Sequence, residues 1–281
     1  MPDDAGERAA QELLEEFEAR VDAGDVRAEV RRAVRELDGQ TRPGGATELI
    51  HRLARTRLLA RLDGTGDGHG AHGGTDAAAE CRARMVDRLW EAGIRNQRVL
   101  DAMGAVPREL FVPAAATHAA YDDDPFEIGH GQTISAPWAV AFGIAALGVH
   151  PGARVLEVGT GSGYGAAVLA HCCSDVVTIE RVPELAALAR ERLAALAPTV
   201  EVRVGDGVHD GADRAPYDAI LVTAMADARL PRPLVRQLAP GGTLVCPVGT
   251  DRVGTLLVRH RDGAVEELAP VSYVPLVTEP R

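Results

Sequence analysis

The sequence lacks lysine altogether. Its 30 basic residues, all arginine, stand against 41 acidic residues and leave a formal net charge of −11. A surface this acidic repels nucleic-acid backbones and anionic lipid. We therefore expect neither nucleic acid nor a membrane as a partner.

Aromatic residues, cysteines and long apolar runs are also scarce. Aromatics make up 4% of the chain, so an apolar core must rest on Ala, Val and Leu. The four cysteines form no CxxC pair, which favours buried thiols in a reducing cytoplasm over a disulfide framework. No apolar run approaches the roughly 18 residues of a membrane span, and the acidic N-terminus is unlike a signal peptide.

Three regions differ in composition. Residues 1–62 place Leu and Val at helical spacing among charged residues, which predicts a helical N-terminal extension. Residues 63–79 are rich in Gly, His and Asp and predict a flexible linker. His69 and His72 lie in this linker, where a glycine tether makes them a weak metal signal, so no metal site is predicted. Residues 80–281 form the third predicted domain.

Strands and helices alternate in the third region. A helical stretch spans residues 85–103, another helix is predicted over residues 183–196, and the tail predicts an antiparallel hairpin. This alternation predicts an α/β fold, a doubly wound and mainly parallel sheet covered on both faces. The predicted strands of the alternation are residues 154–158, 176–180, 200–204, 219–222 and 243–247.

A glycine-rich turn follows the first of these strands. The segment VLEVGTGSGYG (residues 155–165) leaves a strand and opens a helix, as a nucleotide-binding loop does. Gly159, Gly161 and Gly163 let the backbone turn tightly and approach a ligand closely. Glu180 ends the next strand, where a carboxylate can accept hydrogen bonds from both ribose hydroxyls. The pattern indicates an adenosine-type ligand, with a tight turn that binds nothing as the alternative.

Two further segments narrow the ligand. Asp206 and Gly207 follow the third strand, where a carboxylate can receive an adenine amino group. Thr223 ends the fourth strand, in PYDAILVTA. No basic residue is expected near the glycine loop to neutralise phosphate, which disfavours ATP and NADP.

Several ordered segments, from about residue 85 to residue 277, resemble one enzyme family. AVPRELFV (residues 105–112) and IGHGQTISAP (128–137) precede the glycine loop, and LAPGGTLVCPVG (238–249) and YVPL (273–276) follow it. Together they resemble the protein-L-isoaspartate O-methyltransferases. Many methyltransferases share the glycine loop, but GQTIS ahead of it and VPL at the end are more discriminating.

The resemblance implies a Rossmann-like class I S-adenosylmethionine-dependent methyltransferase with an N-terminal helical extension. Such an enzyme transfers a methyl group to the α-carboxylate of L-isoaspartyl residues, with D-aspartyl residues as a second class. The ester then closes to a succinimide, which begins repair of the damaged protein. A sulfonium cofactor carries no phosphate, so no basic partner is needed. The predicted cofactor-binding residues are Glu157, Gly159, Gly161, Gly163, Glu180, Asp206, Gly207 and Thr223.

Ser135 is the active-site residue that the resemblance implies. An α-carboxyl has a pKa of about 3.3–3.7, so the substrate is already ionised at neutral pH and needs no general base. The Ser135 hydroxyl is expected to orient this carboxylate, while Gln132 and Thr133 shape the same loop and Pro275 and Leu276 line the substrate groove. The alternative is that Thr133 and Ser135 make only turn hydrogen bonds.

Two neighbouring features are expected to have lesser roles. His130 lies inside the GQTIS segment, but the reaction needs no base, so a loop or surface role is expected. The acidic run of residues 122–124 is a solvated turn in its simplest interpretation, and one of its carboxylates is expected to order the loop.

A second function stays open at this point. Some relatives esterify a specific Asp of a ribosomal precursor peptide to form an aspartimide, and residues 1–80 lie outside the common repair pattern and could recruit such a peptide. The intact GQTIS segment favours isoaspartyl-containing proteins or peptides as the substrate. The chain is expected to be a monomer.

Overall fold

The computed structural model describes residues 3–17, 26–27, 30, 51, 54–55, 74–250 and 252–278. The chain divides into two compact units, residues 1–72 and residues 73–281. In the part of the chain that is described, no helix combines the length and the apolar character needed to cross a membrane.

The described residues of the first unit are helical apart from Phe17, which lies in a turn. Helix α1 spans Asp3–Glu16 and buries Leu13, followed by the buried Phe17. Val26, Val30 and Ala54 are helical and buried as well. The rest of the predicted extension, residues 1–62, lies outside the described residues. His69 and His72 lie outside them too.

The predicted linker is too long. Helix α2 spans Gly74–Glu91, so the assignment of residues 74–79 to a linker is wrong. Alanine has the highest intrinsic helix propensity, and the three alanines of residues 77–79 favour helix over coil. The glycines and histidines that precede these alanines give the whole segment the composition of a linker.

The second unit is built on one twisted sheet. Its strand order is β10-β9-β8-β6-β3-β4-β5, with β7 paired to β8. Strands β5, β4, β3, β6 and β8 are parallel, and β9 and β10 continue the sheet antiparallel. The strands are β3 Arg154–Val158, β4 Asp175–Glu180, β5 Glu201–Val204, β6 Tyr217–Val222, β7 Ala226–Asp227, β8 Leu238–Thr250, β9 Val253–His260 and β10 Val265–Ser272.

Helices cover both faces of this sheet. Successive residues of β3 point to opposite faces, so Val155 belongs to one apolar cluster and Leu156 to the other. The chain winds from β3 to β4 and β5 on one side, then crosses to β6 on the other, which puts a topological switch point at the end of β3. The helices after α2 are α3 Gln97–Ala105, α4 Pro137–Leu147, α5 Tyr164–Cys172, α6 Pro183–Leu196 and α7 Arg232–Arg236.

The predicted doubly wound α/β architecture is confirmed. The five predicted strands, the helix over residues 183–196 and the final hairpin are all present. Strand β8 is much longer than its predicted five residues because it pairs with parallel β6 along one edge and with antiparallel β9 along the other. The GQTIS segment, which the sequence indicates only as a loop, folds into a small hairpin of β1 Phe126–Gly129 and β2 Gln132–Ile134.

Candidate active site

The glycine loop leaves β3 at the switch point and turns into α5. Gly159 has a φ of 100°, and a Cβ on it would lie 2.4 Å from Thr223 Oγ1, so no larger residue fits there. The Thr223 hydroxyl donates to the Gly159 carbonyl at 2.7 Å and thereby ties the end of β6 to the loop. The backbone of the loop consequently faces an open cleft.

Glu180 closes one side of this loop. Its carboxylate is buried, and its two oxygens accept hydrogen bonds from the backbone N–H groups of Gly161 at 2.9 Å and Val182 at 3.0 Å. Each carboxylate oxygen has two lone pairs, so both retain capacity for a ligand hydroxyl. The predicted ribose contact is compatible with this arrangement.

Glu157 lies behind the loop and away from the cleft. Its side chain is 1% exposed and accepts a hydrogen bond of 2.6 Å from Thr178, whose hydroxyl lies 2.6 Å from that of Thr160. Burial raises the pKa of Glu157 to about 8. A Cβ on Gly165 would lie 2.3 Å from Glu157 Oε1, so the carboxyl fills the space beneath the first turn of α5. Its geometry favours support of the loop over the predicted cofactor contact.

Asp206 lies in the turn after β5. Its carboxylate accepts a hydrogen bond from Val208 N at 2.9 Å, and its second oxygen lies 2.9 Å from His209 Nδ1. Gly205 and Gly207 line the cleft, whereas Asp206, which is 8% exposed, does not. The adenine contact of Asp206 stays a prediction, because its carboxylate is engaged within its own turn.

The β1–β2 hairpin forms a further side of the cleft, next to the glycine loop. Ile128 Cδ1 would lie 3.4 Å from a Cβ on Gly161, so the hairpin and the glycine loop are in close contact. Gln132 and Thr133 line the cleft from β2. His130 is exposed at the hairpin turn with a φ of 55°, which agrees with the surface role expected for it.

Ser135 follows the hairpin directly and leads into α4. Its carbonyl accepts a hydrogen bond of 2.7 Å from the guanidinium of Arg108, a fully buried side chain. Arg108 also donates to the carbonyl of Ala120 at 2.7 Å. Asp123 Oδ1 accepts a hydrogen bond of 2.7 Å from Trp138 N in the first turn of α4, so a carboxylate of the acidic run orders this segment.

The C-terminal segment completes the cleft. Val274 and Leu276 hydrogen-bond through their backbones to Met225, both at 2.7 Å, just beyond the end of β6. Pro275 forms a bridge to the same residue. The segment therefore lies along the carboxyl edge of the sheet.

These elements line one open cleft. Four predicted site residues do not line it, namely Ser135, Glu157, Gly163 and Asp206, although each is next to a residue that does or belongs to the same loop. The predicted residues that do line it are Gln132, Thr133, Gly159, Gly161, Glu180, Gly207, Thr223, Pro275 and Leu276.

The sequence interpretation missed Arg181, which lines the cleft beside Glu180. The expectation that no basic residue approaches the glycine loop is therefore wrong. Arg181 is distant from Gly159 along the chain, but Val158 pairs with Ile179, so the ends of β3 and β4 lie side by side. Because Arg181 is present, the argument against phosphate-bearing ligands such as ATP and NADP no longer holds.

Comparison with known proteins decides the family. A sequence model of the protein-L-isoaspartate(D-aspartate) O-methyltransferases matches residues 80–281. The chain belongs to this family. The match begins inside α2, and the residues before it contribute nothing to it.

Individual members of the family are similar over nearly their whole length. The protein-L-isoaspartate O-methyltransferase of Methylorubrum extorquens is 52% identical over 204 residues, which cover 71% of this chain and 89% of that protein. The corresponding protein of Hyperthermus butylicus is 48% identical over 217 residues, covering 71% and 90%. A crystal structure of a candidate family member from Plasmodium falciparum, in complex with S-adenosyl-L-homocysteine, is 26% identical, with a TM-score of 0.62, and covers 70% of this chain and 99% of that one.

The residues that the structure describes contain no cluster of three or more His, Cys, Asp or Glu side chains arranged to hold a metal ion.

Proposed function

We propose that this protein transfers the methyl group of S-adenosylmethionine to the α-carboxylate of L-isoaspartyl residues in damaged proteins or peptides, with D-aspartyl residues as a second class. The resulting ester closes to a succinimide and begins repair. The main observation in support of this function is that the GQTIS hairpin, the C-terminal YVPL segment and the glycine loop line one cleft. Family membership supports the same reaction.

The groups that line the cleft fit S-adenosylmethionine. The buried Glu180 carboxylate offers acceptor capacity to ribose hydroxyls, and Gly159 and Gly161 present backbone to the ligand. The family member from Plasmodium falciparum binds S-adenosyl-L-homocysteine, the demethylated product. We assign the cofactor contacts to Gly159, Gly161, Glu180, Gly207 and Thr223.

In this reaction the protein has to orient the reactants, and it does not need to transfer a proton. When bound, S-adenosylmethionine supplies an electrophilic methyl group on a positively charged sulfur. A substrate carboxylate oxygen forms the new C–O bond while the S–CH₃ bond breaks and its electron pair stays on sulfur. With a pKa of about 3.3–3.7 the carboxylate is already charged, so the hairpin need only hold it in line, which can contribute roughly 7–11 kcal/mol in favourable cases.

Ser135 is the residue to which we assign this orientation. Arg108 fixes its carbonyl, and the backbone leads directly from the cleft-lining Thr133 into the first turn of α4. The Ser135 hydroxyl can donate to the carboxylate, while Pro275 and Leu276 contact the substrate backbone.

Two peptides of identical sequence, one isoaspartyl and one aspartyl, test the function. The full chain is incubated with each peptide and with methyl-labelled S-adenosylmethionine, and ester formation is counted. We expect the isoaspartyl peptide alone to be methylated. Methylation of the aspartyl peptide alone would instead support the aspartimide-forming tailoring enzyme, which the names of the relatives do not favour.

We further propose that the protein acts as a cytoplasmic monomer without nucleic-acid or membrane partners. Cys172, Cys173 and Cys246 are buried free thiols, a form suited to a reducing compartment. Light scattering on the purified chain tests the oligomeric state, and cell fractionation tests the location.

A further inference from the structure

Arg108 is the largest side chain that is fully buried in the described part of the chain. It opens the short 3-10 helix Arg108–Leu110, in the AVPRELFV segment that precedes the GQTIS hairpin. A guanidinium stays charged at every physiological pH, and taking it out of water is costly even when its N–H groups are hydrogen-bonded. Costs of this kind are expected at functional sites, although Arg108 does not line the cleft itself.

The guanidinium of Arg108 draws three stretches of backbone together. Its Nε donates to the Ala120 carbonyl at 2.7 Å, and its Nη2 donates to the Ser135 carbonyl at 2.7 Å and to that of Asp124 at 3.4 Å. These carbonyls lie on both sides of the β1–β2 hairpin along the chain. Because the guanidinium is planar and its N–H groups point in fixed directions, these hydrogen bonds hold the two ends of the hairpin in one arrangement.

The same guanidinium lies over the ring of Tyr164. Its central carbon Cζ is 4.8 Å from the ring centre, a distance at which cation and ring attract each other. Tyr164 is buried and is the first residue of α5, directly after Gly163 of the glycine loop. Phe111, three residues after Arg108, packs edge-on against the same ring, with the ring centres 5.6 Å apart. The segment that carries Arg108 is therefore packed against the end of the glycine loop.

Arg108 thus contacts one residue on each side of the proposed reaction. Ser135 is assigned to the substrate carboxylate, and Tyr164 follows the loop that is assigned to the cofactor. Methyl transfer needs the carboxylate oxygen in line with the S–CH₃ bond, and a displacement of about 1 Å can cost roughly 100-fold in rate. A rigid planar group between the two elements limits their displacement relative to each other.

We propose that Arg108 is a positioning residue for methyl transfer: its guanidinium sets the place of Ser135 relative to the glycine loop, and with it the alignment of the carboxylate and the methyl group. The inference rests on the proposed function. Arg108 touches neither reactant and acts through Ser135 and Tyr164.

The first test is Arg108→Lys, assayed with the isoaspartyl peptide. Lysine keeps the positive charge, but one ammonium group cannot reproduce the planar fork or lie flat on the ring. We expect kcat to fall roughly 10- to 100-fold, with KM for the peptide and calorimetric affinity for the cofactor product within about twofold of the wild type. Turnover is divided by the calorimetric binding stoichiometry, so that unfolded chains do not count.

A double-mutant cycle with Ser135→Ala separates positioning from a general effect on the fold. In the Ser135→Ala background the hydroxyl to be positioned is absent, so Arg108→Lys should lower kcat/KM by no more than about twofold. A purely structural role would give the same fold loss in both backgrounds.

Arg98 provides the matched control. It lies on α3, and its Nη1 donates to the Val149 carbonyl at 2.9 Å. Neither residue lines the cleft. Arg98→Lys exchanges the same residue types at the same kind of hydrogen bond, so kcat should stay as in the wild type.

A second variant tests the connection from the side of the glycine loop, in case Arg108→Lys does not fold. Tyr164→Leu keeps an apolar side chain and removes the ring under the guanidinium, so kcat per folded site should fall. Tyr217→Leu is its control, because Tyr217 is also fully buried and its hydroxyl donates to the Gly211 carbonyl at 2.7 Å, with neither residue in the lining of the cleft. The control should lower Tm and leave kcat per folded site unchanged.

Three results would overturn the inference. The first is wild-type kcat in Arg108→Lys, or in Tyr164→Leu where the lysine variant does not fold. The second is an equal loss in both backgrounds of the cycle, and the third is a loss confined to cofactor affinity and Tm. If the wild type fails to methylate the isoaspartyl peptide, the proposed function falls and the inference with it, whereas the first three results leave the proposed function intact.

Discussion

The two walls of the cleft differ in how their contacts are distributed along the chain. The cofactor wall, residues 158, 159, 161, 179–181, 205 and 207, consists of strand ends and the turns that follow them in consecutive strand–helix units. The substrate wall, residues 132–133 and 274–277 with Ser135 next to it, joins a hairpin ahead of the sheet to the tail that follows the last strand.

The supports of the two walls differ in the same way. Glu180 holds Gly161, which is 19 residues away, through neighbouring parallel strands. In the substrate wall, Arg108 holds the Ser135 carbonyl from 27 residues before it, and Met225 holds Val274 and Leu276 from a distant part of the chain. The contacts of the cofactor wall follow from a strand–turn–helix pattern that is local in the chain. Those of the substrate wall form only when distant segments of the domain fold together. We therefore expect substitutions to affect the two walls separately.

The largest separation is expected for Ser135→Ala in the substrate wall. Loss of a hydrogen bond to a charged group should lower methyl transfer to the isoaspartyl peptide about 10- to 100-fold. Cofactor affinity should stay as in the wild type, because Ser135 is not among the residues assigned to the cofactor. Calorimetry with the cofactor product and a peptide assay measure the two effects, with Ser174→Ala, an exposed serine, as the control. Unchanged turnover would remove Ser135 from its assigned role.

A smaller effect, on cofactor affinity rather than on turnover, is expected for Asp206→Ala at the cofactor wall. Cofactor affinity should fall several-fold, since the carboxylate holds the turn that carries Gly207 as well as being the predicted adenine acceptor. Turnover at saturating cofactor should change little. The control His209→Ala keeps the carboxylate and removes only the ring, so it should weaken binding less. If Asp206→Ala binds as tightly as the wild type, Asp206 is not part of the adenine site.

The smallest effect on activity is expected for Glu157→Gln, behind the cofactor wall. Burial raises the pKa of Glu157 from 4.5 to about 8, so between these values the folded chain binds more protons than the unfolded chain. Wild-type stability should therefore fall as the pH rises through this window, by about 1.4 kcal/mol per unit of pKa difference. The glutamine variant should not show this contribution.

Urea unfolding at several pH values between 5 and 8 measures the difference. Glutamine keeps an oxygen that can accept the Thr178 hydrogen bond, so the fold should tolerate the change. Glu267→Gln, at an exposed position on β10, is the control and should follow the wild type. Parallel pH profiles for the wild type and Glu157→Gln would show that Glu157 is ionised in the folded protein.

The two walls also differ in how well the sequence predicts them. Gly159, Gly161 and Glu180 are identified correctly as parts of one cleft because a strand, a turn and a helix fix their relation over a short stretch of chain. Arg181 is missed, since its proximity to the loop depends on the pairing of β3 with β4. The prediction of a linker is wrong at residues 74–79, because the glycine-rich composition of the preceding residues was given more weight than three alanines that favour helix.

By itself, the sequence determined the α/β class, the strands, the family and the residue types of the site, because periodicity and motif spacing are local properties. Only the tertiary structure decided that Glu157 supports the loop from behind, that Asp206 is engaged within its own turn, and that Arg108 holds the carbonyl of Ser135. These relations depend on which buried polar groups find partners across the sheet and between distant segments. The physical requirement that buried hydrogen-bonding groups be satisfied is met by the whole fold, and no short stretch of sequence specifies it.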